Sequence, residues 1–143
     1  MGLSQYIFSP TCVDEMTSKM AYQVACQSVT VFEQLGLTGR VFANNKRALA
    51  VVEGPTAIVE QYFHALSADV LLETIFLHSS RPIEQREFSD FSIWINLREE
   101  FEFTDRVRRL TKPALKDALP ASPSIKLKIM ATAYLNDDIL AAA

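Results

Sequence analysis

Few side chains in this 143-residue chain stand at spacings that could do chemistry. His64 and His78 are its only imidazoles. His64 follows Glu60 by four residues, which on a helix places both on one face, but a metal site needs three or four ligands. No third ligand lies close in sequence, so both histidines read as surface or capping groups. Cys12 and Cys26 have no histidine or second cysteine at metal spacing and read as packed thiols. Asp137 and Asp138 follow an apolar segment and read as its solvated end rather than as an acid/base pair. No glycine-rich phosphate loop, nucleophile elbow or paired-histidine zinc motif occurs, and SPTCV after the first apolar run lacks a phosphate cradle. The expectation is a protein that is not an enzyme and holds no metal.

Composition narrows the classes further. The chain is 49% hydrophobic and 22% charged with a net charge of −3, enough for one domain with a real core. A pI near 5.4 gives no electrostatic footprint for nucleic acid. The apolar runs fall short of the ~20 residues of a membrane span, no leader-like segment opens the chain, and two cysteines make no disulfide framework. A cytoplasmic protein without membrane attachment is expected.

The elements that must position any site follow from periodicity. Leu3 to Ser9 alternates and meets Pro10, predicting a first strand that ends there. Thr11 and Asp14 fit a loose capping box for a long amphipathic helix carrying Met16, Met20, Ala21, Val24, Ala25 and Val31, up to Phe32. Two β-rich runs between Arg40 and Val52 flank Asn44, Asn45 and Lys46, which predicts a hairpin. Pro55 after Gly54 opens a second helix with Ile58, Val59, Tyr62, Phe63 and Leu66 on one face. Val70 to His78, closed by Pro82, and Phe88 to Leu97 predict strands four and five.

The order β, α, β, β, α, β, β predicts an α+β, ferredoxin-like βαββαββ sheet with both helices on one face. The second face requires another cover. Acids at 99 to 105 precede bases at 106 to 112, the charge order of a helix, and Ile125 to Leu135 predicts another. Residues 1–97 are therefore expected to form the core and 98–143 a helical cap of the same domain. Trp94, alternating away from Phe91 and Ile93, is expected under that cap or at a subunit interface.

With strand, hairpin, VEGP turn and second helix in this order, the sequence resembles the BLUF family, flavin-binding blue-light sensors of ferredoxin-like fold. The resemblance rests on LGLTG at 35 to 39, LAVVEGP at 49 to 55 and RPIEQREFSDFSIW at 81 to 94. It implies a flavin ring between the two helices, over the sheet. It also implies a set of flavin-pocket positions, and most are altered here. The tyrosine that passes an electron and a proton to the ring falls at Phe8, which has no hydroxyl. The reorienting glutamine falls at Ala50, the paired asparagines at Val31 and Phe32, and a basic residue of the second helix at Ala65. Asp69 is kept, while the tryptophan and methionine of strand five become Phe91 and Ile93.

Each polar edge group of a buried ring left without a partner costs about 1 to 3 kcal/mol. The expectation is thus a BLUF-like protein that has lost flavin photochemistry, binds no cofactor and works as an oligomeric interaction or regulatory module. Its contacts with a protein partner or a second copy would run through the C-terminal helices and the Trp94 face. Phe8 and Phe32 are expected to fill the slot above Ala48 and Ala50. The alternative is a sensor that still takes FAD, or another apolar small ligand, in the inter-helix pocket with Asp69 and Tyr6 as polar anchors.

Overall fold

The computed structural model of the protein describes residues 2–97, 99–111, 113–120 and 126–127. Its elements are β1 (Leu3–Cys12), α1 (Ser18–Leu35), β2 (Thr38–Ala43), β3 (Ala48–Pro55), α2 (Thr56–Ser67), β4 (Leu72–Ile83), β5 (Phe91–Ile95), β6 (Val107–Arg109) and α3 (Leu115–Ala118). The sheet order is β4-β1-β3-β2-β5-β6. Because β1 and β2 are each antiparallel to β3, they run parallel to one another with β3 between them. Likewise β3 and β4 flank β1. Two interleaved βαβ units result, as the ferredoxin-like reading requires.

Both faces of the sheet are covered, which is why β5 is buried at all five positions instead of alternating. Phe8, Ala50, Val52, Phe91 and Ile93 face α1 and α2. On the other face Ile7, Phe42, Leu49, Val51 and Trp94 pack against Leu110, Ala118 and Leu127 of the tail. Trp94 is only 4% exposed. The Arg108 guanidinium lies 4.7 Å from its ring centroid, and its indole N–H donates to Ser92 Oγ at 3.0 Å. Arg40 pins the cover by donating from Nε to the Ala118 carbonyl at 2.9 Å.

Several boundaries differ from expectation, each for a physical reason. Pro10 does not end β1. The Cys12 N–H, two residues on, bonds the Lys46 carbonyl, so Pro10 presents its missing donor to the same side, where pairing with β3 has stopped at Phe8. Pro82 is tolerated because β4 is an edge strand. The N-cap of α1 is Thr17, whose Oγ1 accepts the Met20 N–H, and not Thr11, which stays in β1. The larger correction lies at 99–111, where a loop and β6 replace the expected helix. Glu-Phe-Glu-Phe at 100–103 has a strand-like period, and Val107 and Leu110 are drawn into the two cores. The charges make local ion pairs instead: Arg109 with Glu100 at 2.6 Å and Arg106 with Asp90 at 2.5 Å. The expected helix at 125–135 lies mostly outside the described residues, apart from the helical pair Lys126 and Leu127.

The LGLTG stretch has a geometric cause. Gly36 ends α1 at φ 69°, and Leu37 N–H returns to the Phe32 carbonyl at 3.0 Å, closing a Schellman turn with buried Leu37 as its apolar contact. At Gly39, φ is 145° and a Cβ would sit 1.8 Å from the Val51 carbonyl oxygen. Gly36 has open space around it, so Gly36→Ala is expected to cost only the left-handed backbone term, about 1 kcal/mol. Urea unfolding reads that loss as a lower midpoint at unchanged slope.

Candidate ligand cavity between the helices

Small residues leave room between the helices and the sheet. From α1 come Ala21 and Ala25, and from the sheet Ala43, Ala48 and Ala50; together with larger apolar walls they enclose a cavity of about 180 Å³. Its inner walls are Phe8, Phe32, Phe91 and Ile93, and its outer rim includes Asn44, Lys46, Arg47, Asp69 and Leu71. Leu71 is 48% exposed, so the rim reaches the surface.

Phe8 and Phe32 therefore do not fill the slot as expected; they line it. Phe32 turns toward β5, stacking on Phe91 with centroids 3.8 Å apart, and takes the edge of Tyr62 at 4.8 Å. Phe8 meets Phe63 of α2 edge-on at 5.2 Å. Each ring thus packs sideways against another ring, leaving the space above the alanines empty of side chains.

Of the expected pocket positions, Phe8, Phe32, Ala50, Asp69, Phe91 and Ile93 come together around the cavity. Val31 and Ala65 do not line it. Val31 is 41% exposed and Ala65 is exposed on α2, each on the outer side of its helix. Tyr6 packs against Phe63 at 5.5 Å and also lies outside the lining. Sequence reading missed Ala21, Val24, Ala25, Ser28, Tyr62 and Leu66 as lining residues. The signal was present: 21, 25, 28 and 32 follow one stripe of α1.

The polar groups around the cavity are mostly committed. Ser28 Oγ donates to the Val24 carbonyl at 2.8 Å. Asn44 Oδ1 accepts the Lys46 and Arg47 N–H groups, each at 2.8 Å, which makes the β2–β3 turn. Asp69 Oδ1 accepts the Leu71 N–H at 2.9 Å. Burial, aided by the Asp69 charge, pushes the Tyr62 phenol up to about 12, so it stays neutral. Burial and Asp69 also raise the Cys12 thiol, and Lys46 partly offsets them. Near the inner floor, the wall positions are hydrocarbon. A flavin ring presents an edge of carbonyls and ring nitrogens that needs several donors and acceptors. Phe8, Phe32 and Ala50 provide none, so the side chains present do not fit that edge.

Outside the cavity, His78 Nε2 and Ser9 Oγ lie 2.7 Å apart, and Lys126 Nζ donates to the His78 carbonyl at 3.1 Å. Burial, then the Lys126 charge, lowers the His78 pKa. The unfolded chain therefore takes up the proton first, and the stabilisation is complete above the unfolded value of ~6.5 and declines as pH falls below it. Thermal melts from pH 7 to 5 should show falling stability, with a shallower decline in His78→Gln. Among the described residues no cluster of three or more His, Cys, Asp or Glu could hold a metal, and no helix is long and apolar enough to cross a membrane.

Comparison with known proteins agrees with this architecture. The family model for sensors of blue light using FAD matches residues 3–94. The dark-state structure of BlrB, a BLUF protein, is 25% identical, with a TM-score of 0.56 over 68% of this chain and 74% of that one. The Klebsiella pneumoniae BlrP1 calcium and cyclic-diGMP complex superposes at a TM-score of 0.72 and 16% identity, covering 94% of this chain and 34% of that one. A bacterial light-regulated adenylyl cyclase superposes at 0.61 and 10% identity, with 94% and 36% covered. This chain thus spans about a third of those two proteins. No curated protein matches it in sequence. The split sheet, the inter-helix cavity and the match across residues 3–94 place this chain in the BLUF family.

Proposed function

We propose that this BLUF protein acts without flavin photochemistry, as a cytoplasmic regulatory module that works through protein contacts rather than catalysis. The observation that carries the reading is the wall of Phe8, Phe32 and Ala50, which presents hydrocarbon where a flavin ring would need an electron donor and an amide. Two structural neighbours, BlrP1 in its complex with cyclic diGMP and the light-regulated adenylyl cyclase, support a regulatory role. Trp94 itself is covered by the chain's own tail. A partner or second copy would therefore meet the outer side of the C-terminal cover. Absorption of the purified protein tests the reading. A colourless protein is expected; stoichiometric flavin with a reversible red shift under blue light would overturn it.

A second reading is favoured by the cavity of about 180 Å³: a sensor of a small apolar ligand other than flavin. An apolar cavity of roughly 150 Å³ is already large enough to bind benzene.

A further inference from the structure

Resting on the small-ligand reading, we infer that the cavity takes an amphipathic carboxylic acid, its apolar body on the alanine floor and its carboxylate at Lys46. The inner end of the cavity is apolar apart from the Ser28 hydroxyl, which is bonded within α1, and the neutral Tyr62 phenol, and its charged groups lie at the rim. Lys46 is half-buried at that rim. Its backbone groups are spoken for by Asn44 and Cys12, but its ammonium has no hydrogen bond or ion pair among the described residues. An ammonium at the mouth of an apolar cavity gains most from an anion that brings its own apolar body, because the bound ligand then shields the charge pair from water.

The other charges at the rim are Arg47, which is exposed and of the same sign as Lys46, and Asp69. The Asp69 carboxylate already accepts the Leu71 N–H, and the residue is exposed, so its repulsion of a bound anion is screened by solvent and salt. Tyr62 on the cavity wall stays neutral at physiological pH and adds no opposing charge. The rim's charge is therefore net positive, with Lys46 its half-buried cation and Arg47 its exposed one, and the ligand's head group should be anionic.

Isothermal titration of the full chain with octanoate, octanol and octylamine separates the alternatives. Octanoate is expected to bind one to one, about tenfold or more tighter than octanol, with octylamine weakest. Lys46→Met should cost octanoate about tenfold and leave octanol unchanged. Ala25→Leu, and independently Val24→Phe in case the first misfolds, should abolish binding of both while Trp94 fluorescence stays native, since Trp94 lies across the sheet from the cavity. Binding that survives both cavity-filling variants, or no binding at all, would overturn the inference together with the small-ligand reading. Cavity binding with octanol or octylamine equal to or better than octanoate would overturn the anionic class alone.

Discussion

The triple substitution Phe8→Tyr, Phe32→Asn and Ala50→Gln is expected to raise the affinity for FAD by several powers of ten. All three positions line the cavity, so each new polar group faces the space the ring would occupy. Each partner restored to a buried polar edge is worth about 1 to 3 kcal/mol, and about 1.4 kcal/mol is a factor of ten in affinity. Val31→Asn is left out because that side chain is 41% exposed and outside the lining. Phe32→Asn also removes the ring stacked on Phe91, which opens the space further at some cost in stability. Equilibrium dialysis against FAD, with the absorption spectrum of the retained protein, reads the result. A triple variant that binds no more FAD than the parent would show that helix spacing, and not only side-chain identity, differs from what a flavin requires.

Glu53→Ala is expected to destabilise the protein by about 3 to 5 kcal/mol, the range for removing one partner of a buried charged network. Glu53 is fully buried. Its carboxylate accepts Gln5 Nε2 at 2.8 Å, the Glu87 N–H at 2.9 Å and the Phe88 N–H at 3.0 Å. Gln5 Oε1 in turn accepts Arg81 Nε at 3.1 Å, and Arg81 pairs with Glu87 at 2.8 Å. The charge is thus dispersed through amides to a guanidinium at the surface, and the same bonds hold the segment before β5 against β3. Alanine would leave the Gln5 amide and two backbone donors unpaired in the interior. Glu53→Gln keeps one acceptor but turns an amide donor toward these donors, so an intermediate loss is expected. Against a total stability of about 5 to 15 kcal/mol, the alanine variant should show a much lower urea midpoint. An unchanged midpoint would mean that the carboxylate is not what holds that segment.

Much of the fold was legible in the chain because local signals agreed. Asn44 does make the hairpin turn through its own side chain, Pro55 does mark the passage from β3 to α2, and the stripe of α1 does face the sheet. The misreadings share one cause. Charge order at 99–112 suggested a helix, yet a free edge beside β5 was available to Val107, and pairing with it gave β6. Pro10 and Pro82 looked like strand ends, yet each has a side with no ladder to donate to. These outcomes depend on neighbours far away in sequence.

The same division runs through the site. Residue identities alone determined that Phe8, Phe32 and Ala50 bring no hydroxyl or amide to the cavity they line, since a side chain without such a group cannot supply one in any conformation. Whether the space then closes depended on tertiary packing. Phe32 turned onto Phe91 and Tyr62, and Phe8 onto Phe63, because ring edges and faces attract one another and those partners come from two other elements, β5 and α2. The alanines of α1, β2 and β3 meet across the gap only once the sheet has formed, and a cavity with Lys46 at its mouth is the result.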